Sequence, residues 1–383
     1  MPTSKTKNML YRVLLPICAP GNRKVDISCT DGHRIYNQNF FQHLIRKHHI
    51  LGSSTLIESG KERALICTSS YSPVHKADRH TLYCVASITK TATSVLTMRL
   101  VDLNILDLDA FVSDYFESDS AGSVLQGITL RHLLSHTSGL SDPACIETDL
   151  INGKPFYELV PDARVQQPGH VFHYSNFGFG LIGCIIESVI QRPVGEIFRD
   201  YLFAPLNMNA SLEGRMLPRD KIMPVTRVLP YKKGTEHIIT KLGSIPLLKP
   251  DPLRHYGHTA GSMYTDILSL LTLIHVLQGR IHFLSSDSIE QIKKVHASYG
   301  SVSPTLSYGL GLLKINDRSI SEHCIYGHQG FAYGCVDGAF WEEGTERIMI
   351  TLNGGCSEAR TGRLGLSNRD FLRWAFQKEL TLW

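Results

Sequence analysis

Strand-like text in this chain is confined to its two ends. Near the start, "SSTLIESGKERALICTSSY" reads as two strands either side of a Ser59–Gly60–Lys61 turn, a β-hairpin. Near the finish, "YGLGLLKI", "AYGCVDGAFWEE" and "RIMITLNGG" show the same character, with a turn at Glu343–Gly344–Thr345. Between them the chain is helical segments and long loops, punctuated by Pro and Gly. Strands at both ends must share one sheet, and the helical stretch must be inserted between them. The expected fold class is α+β: an antiparallel sheet flanked by helices, built from both termini, with an inserted all-helical region. The expected divisions are an N-terminal extension and first helix over 1–50, a sheet domain over 51–101 plus 225–383, and a helical domain over 102–224.

Individual elements can be placed. "NFFQHLIRKHHI" reads as a helix with Phe40, Leu44 and Ile45 inward, and His48–His49 as surface polar residues. "ITLRHLLSHTSGL" is a helix with Gly139 as its C-cap, and "FGFGLIGCIIESVI" a buried one. "SMYTDILSLLTLIHVLQG" is an apolar helix capped by Thr265 or Asp266, and "SNRDFLRWAFQKEL" a closing helix capped by Ser367. Pro224–Pro252 holds five prolines without periodicity and reads as a loop-rich connection.

Composition narrows the function classes. Hydrophobic content of 43% with 19% charged residues is that of an ordinary globular protein. A formal charge of +4 without a basic stripe gives no basis for a nucleic-acid partner. No apolar run reaches the length of a membrane span, and Arg12 and Pro16 interrupt the apolar start of a signal-like segment. Nine scattered cysteines without a CxxC pair fit free thiols in a reducing compartment, so a cytoplasmic location is expected.

Chemistry concentrates in "YCVASITKTATSVLTMRLVD". Ile88, Ala92, Leu96, Leu100 and Leu103 form one helical stripe, and Ser87 and Lys90 stand at i and i+3 on one side. A serine at a helix entry beside an amine has what an activated nucleophile needs: a base within reach, and backbone N–H donors for an oxyanion. The same serine could simply cap the helix. Ser4–Lys7 repeats the spacing, but without an apolar stripe behind it. Two further motifs matter. "HYSNFGFG" sets Tyr174 and Asn176 before a helix, where a tyrosine near a cation could move a proton and an Asn could hold a substrate amide. "YGHQGFAYG" places His328–Gln329–Gly330 entering a strand, where Gly330 permits close backbone approach and the Phe331 N–H could face a ligand from an edge strand. His255–Tyr256–Gly257 repeats that pattern outside strand-like text.

Ser87-Ile-Thr-Lys90, Tyr174-Ser-Asn176 and His328-Gln-Gly330, in this order, resemble the three motifs of the serine β-lactamases and penicillin-binding proteins. The likeness is to the class C β-lactamase branch with its DD-peptidases, D-aminopeptidases and esterases. "LRHLLSHTSGL" and "GHTAGSMYTDILSL" look like landmarks of that branch, and the resemblance runs from about Thr55 to Leu380. It implies a β-lactamase/transpeptidase-like fold with the site between sheet and helical region. It also implies Ser87 as the acylated nucleophile and Lys90 and Tyr174 as a shared base and acid, their order left open. Ser87 and Phe331 N–H groups would form the oxyanion hole, and Asn176, His328 and Gly330 would align substrate. The substrate would be a small molecule or short peptide, with no cofactor and no metal; the oligomeric state stays open.

Many class C β-lactamases carry lysine where this chain has His328, and a histidine is only partly cationic near neutrality. The resemblance therefore implies a D-alanyl-D-alanine carboxypeptidase, D-aminopeptidase or esterase activity. A class C-like β-lactamase and a non-catalytic binding protein on the same fold stand as alternatives. The chain has no Gly-x-Ser-x-Gly elbow, which disfavours an α/β-hydrolase. His132 and His136 stand at i and i+4 but lack a HExxH setting, and read as part of a packed helix.

Overall fold

The computed structural model describes residues 9, 13–14, 26–29, 38–69, 77–117, 119–228, 231–233 and 247–376. Ser4, Lys7, the charged start and residues 377–380 of the closing segment lie outside them. Nine strands make one antiparallel sheet: β1 (Asp26–Cys29), β2 (Ser53–Ser59), β3 (Glu62–Ser69), β4 (Ala297–Ser298), β5 (Leu306–Tyr308), β6 (Leu313–Ile315), β7 (Ile325–Ala332), β8 (Cys335–Glu342) and β9 (Arg347–Asn353). Their order is β1-β3-β2-β9-β8-β7-β6-β5-β4. The pairing of β2 with β9, Thr55 opposite Thr351, joins the two ends of the chain at the centre of the sheet.

The central strands are buried on both faces, because helices cover both. Leu56, Trp341, Ile348 and Ile350 face one core, while Ile57, Phe340 and Met349 face the other. The period-2 alternation thus separates two apolar sets rather than an apolar from a polar face. The second core is closed by α1 (Gln38–Lys47) and by a C-terminal helix, Leu366–Phe376, through Phe41, Phe371 and Trp374. In α1 it is Phe41, not Phe40, that turns inward, and Phe40 is exposed. His48 is likewise buried rather than a surface residue, its Nε2 2.8 Å from Asp370. Ser367 lies inside the C-terminal helix and is buried, so it is not the cap.

The first core holds α2 (Thr89–Asp102), buried nearly all round. Its hydroxyls are satisfied by backbone carbonyls: Thr91 by Gly311, Thr93 by Thr259, Ser94 by Leu310. Beyond it comes the helical stretch, including α3 (Leu130–Leu134), α4 (Ile146–Ile151) and α5 (Asn176–Ile190). α3 ends with Ser135 as its C-cap, four residues short of the expected Gly139, because His136 takes φ +59°. His132 Nδ1 accepts from the Thr129 N–H at the start of α3, a capping role. α6 (Ile267–Leu277) is capped by the Asp266 carboxylate, which accepts from the Ser269 N–H. Among the described residues no single helix is long and apolar enough to cross a membrane.

Two details position the site. β6 pairs with β7 only as far as Gly327, so His328–Ala332 present a free edge on that side. The chain before Ser87 is pinned by Tyr83–Cys84 pairing with Tyr264–Thr265 and by the Val85 N–H on Met263 O. The Ser87 turn is thereby laid against the free edge of β7.

Candidate active site

Ser87 sits in a tight turn, Ala86–Ile88, immediately before α2. Ala86 is held at φ +45°, a conformation that costs a non-glycine residue about 1–2 kcal/mol and lifts the next side chain out of the helix line. Ser87 makes no capping bond, and its hydroxyl is engaged elsewhere. Lys90 Nζ lies 3.1 Å from Ser87 Oγ, and the Tyr174 hydroxyl donates to the same Oγ at 2.9 Å.

Lys90 is fully buried, and burial lowers its pKa to about 7, with the Asp142 carboxylate pulling the other way. Its amine also donates to Asn176 Oδ1 at 2.8 Å and to Ala260 O at 2.7 Å. Both partners can only accept. A neutral amine has two hydrogens and one lone pair, so with both hydrogens committed the lone pair is left for the Ser87 hydroxyl. Burial pushes the Tyr174 phenol above its ordinary range, against the Ser87 hydrogen bond that favours ionisation, so the ring stays a neutral donor.

Asn176 begins α5, capped by Ser175 Oγ on the Gly178 N–H. Its amide orientation is set by Asp142, whose Oδ2 accepts from Asn176 Nδ2 at 2.8 Å while Oδ1 accepts from the Phe177 N–H at 2.9 Å. Since a carboxylate cannot donate, the Asn176 oxygen must face Lys90. Asp142 escapes the sequence reading because it lies in a loop with no periodicity; its only signal is its place just after "SHTSGL". α5 comes close to the other wall because Gly180 meets Tyr256 O where a Cβ would lie only 1.6 Å away.

The free edge of β7 completes the cleft. A Cβ at Gly330 would stand 2.3 Å from Val85 O, so only glycine admits the Ser87 turn this close. Residues 333–334 form a two-residue turn closing on the Ala332–Cys335 pair, which makes Phe331–Val336 a non-hydrogen-bonded pair. The Phe331 N–H therefore points away from β8, on the free-edge side, and Phe331 and Ser87 line the same cleft. His328 is 4% exposed, and both ring nitrogens are occupied: Nε2 by the Tyr308 hydroxyl at 2.9 Å and Nδ1 by Gln329 O at 2.7 Å. Burial lowers its pKa to about 3, helped by the Lys90 charge, so it is a neutral imidazole. Tyr308 was legible only as a strand residue. The structure thus brings Ser87, Tyr174, Asn176, His328 and Phe331 to the lining of one cleft of about 380 Å³, with Lys90 behind Ser87 and Gly330 against Val85, while the second His-x-Gly stretch contributes Tyr256 and Gly257 to its wall and turns His255 onto buried Glu187.

The Beta-lactamase family model matches residues 37–341. This chain belongs to the β-lactamase family. Over 178 residues it is 29% identical to Protein flp of Staphylococcus aureus (strain MW2), which is 44% of this chain and 36% of that protein. Over 133 residues it is 30% identical to Penicillin-binding protein 4 of Amycolatopsis lactamdurans, covering 33% of this chain and 34% of the other. The match thus spans about a third of these relatives' length. The fold is shared with the D-amino acid amidase of Ochrobactrum anthropi SV3 in complex with D-phenylalanine, at a TM-score of 0.68 and 22% identity, over 88% of this chain and 96% of that one. As a β-lactamase-family protein, the chain carries its serine–lysine pair and its tyrosine on the elements that line this cleft.

Proposed function

We propose that this protein is a serine hydrolase that cleaves amide or ester bonds through an acyl-enzyme. The activity is of the D-alanyl-D-alanine carboxypeptidase, D-aminopeptidase or esterase type. One observation carries the reading: the Lys90 amine has both hydrogens held by acceptors, leaving its lone pair for the hydroxyl of Ser87. Neutral Lys90 takes the Ser87 proton as Oγ attacks the substrate carbonyl carbon. The oxyanion is met by the Ser87 and Phe331 N–H groups. The C–N or C–O bond then breaks, the leaving atom takes the Tyr174 proton, and the Lys90 ammonium restores the phenol. Water, deprotonated by the same pair, releases the acyl group. Asn176 keeps Lys90 aligned, and Gly330 and His328 hold the β7 edge on which the substrate lies.

The neutral, doubly hydrogen-bonded His328 supports an aminopeptidase, amidase or esterase over a β-lactamase, since it offers no permanent cation to a carboxylate at that point. A binding protein that had lost turnover would have no use for a buried, depressed lysine beside a serine, which costs stability. The test is labelling with a fluorophosphonate, followed by a panel of p-nitrophenyl esters, D-amino-acid amides, acyl-D-Ala-D-Ala and nitrocefin. Label on Ser87 and turnover of esters or amides above nitrocefin is expected, with Ser87→Ala losing at least a thousandfold. Absence of label and turnover in the folded protein would leave the binding reading.

A further inference from the structure

We infer that Tyr333 and Glu147 wall off the acyl end of the cleft, so that the protein accepts only acyl groups about as long as one amino-acid residue. This rests on the serine-hydrolase reading above. The direction of the cleft follows from the proton path: the leaving group must lie toward Tyr174, so the acyl group runs the opposite way. Along β7 the order is His328 against Tyr308 on the Tyr174 side, Gly330 against the Ser87 turn, then Phe331, Ala332 and the hairpin tip. The acyl group is therefore directed toward the tip.

At that tip the Tyr333 hydroxyl donates to Glu147 Oε1 at 2.7 Å. Glu147 belongs to α4 of the helical stretch, so the bond crosses from one side of the cleft to the other, and both residues line it. Tyr333, in the turn that follows the strand, is two residues beyond Phe331, at most about 7 Å of chain. That leaves room for one residue or about five extended carbons, not for a continuing chain.

The backbone adds an independent argument. Tyr333 and Gly334 take φ +53° and +113° in a two-residue tip, where Asn-Gly is the favoured filling. A tyrosine there is strained relative to a residue that tolerates this conformation. The ring is held there by packing against the cluster of Leu82, Cys84 and Cys335, and its hydroxyl makes the bridge to Glu147.

The experiment measures kcat/KM for p-nitrophenyl esters from acetate to decanoate, so that only the acyl side changes. The wild-type protein should fall at least tenfold between butanoate and octanoate. Tyr333→Asn removes the ring while suiting the turn; lost packing and relieved backbone oppose each other, so the protein should stay folded with its melting temperature within a few degrees, and the octanoate-to-butanoate ratio should rise at least tenfold. Glu147→Gln keeps an acceptor for the Tyr333 hydroxyl and should leave that ratio within about threefold. A flat chain-length profile in the wild type, or an unchanged ratio in folded Tyr333→Asn, would overturn the wall while leaving the serine-hydrolase reading intact. No turnover of any ester together with no fluorophosphonate label on Ser87 would overturn both.

Discussion

At the scale of single residues, the site is organised around one uncomfortable cation. Lys90 is fully buried with a pKa lowered to about 7, far below that of an unfolded lysine. Below pH 7 the amine is protonated in both states, and the folded state carries the full cost of the buried charge. Between about pH 7 and 10 the unfolded chain still binds the proton while the folded one has lost it, so this group's contribution makes stability rise with pH. The wild type should therefore gain stability relative to Lys90→Met across that window, by a few kcal/mol at most, in urea unfolding at pH 6, 8 and 9.5. The same titration should appear in catalysis, with kcat/KM rising through about pH 7; a flat profile would remove Lys90 as the base. Asp142→Asn tests its neighbour. An Asn there can donate, so the Asn176 amide is free to flip, and the charge that favours the Lys90 cation is gone. The apparent pKa in the rate profile should shift down and the rate fall about tenfold to a hundredfold. Ser87, Lys90, Tyr174 and Asn176 were legible because short spacings survive in sequence. Asp142 and Tyr308 were not, since their partners lie 34 and 20 residues away along the chain.

Among the elements, β7 matters most, because its far half is an edge reserved for the cleft. Gly330→Ala would place a Cβ against Val85 O, a backbone atom that cannot swing aside. The strand or the Ser87 turn must move, taking the Phe331 N–H off the oxyanion. A loss of at least a hundredfold in kcat is expected, with folding retained by circular dichroism and the loss seen equally for esters and amides. His328 belongs to the same edge, but its imidazole is spent on Tyr308 and Gln329. His328→Ala should lower all activities about tenfold to a hundredfold while leaving the nitrocefin to p-nitrophenyl acetate ratio unchanged. A tenfold change in that ratio would mean that the ring touches substrate. Sequence pattern located β8 and β9 but read "YGLGLLKI" as one strand, where the chain turns from β5 into β6. The helix expected to run to Gly139 stops just before His136, which takes a left-handed conformation in place of a glycine.

On the scale of the whole molecule, the sheet is closed by residues that are far apart in sequence but adjacent in space. The strand groups were readable because their alternation is local, and the joining of both ends followed from their positions. Which apolar residues face which core was not readable, since both faces of β2, β8 and β9 are apolar and the alternation cannot tell two cores apart. The phase of α1 failed for a related reason: Phe40 and Phe41 are adjacent, and only packing against Phe371 and Trp374 selects Phe41. That packing makes the C-terminal helix a structural necessity far from the chemistry. Phe371, Leu372, Trp374 and Phe376 are all nearly inaccessible and cover Phe340 and Met349 of the central strands. At about 1.5–3 kcal/mol for each buried side chain, they contribute about 6–12 kcal/mol, comparable to the whole stability of an ordinary domain. Ending the chain at Gly365 should therefore leave no folded protein, judged by loss of near-ultraviolet circular dichroism and of Ser87 labelling together. Phe371→Ala alone should cost about 3–5 kcal/mol in urea unfolding while the molecules that remain folded label at the wild-type rate. A truncated chain that still labels at Ser87 would show that the first core stands without the second.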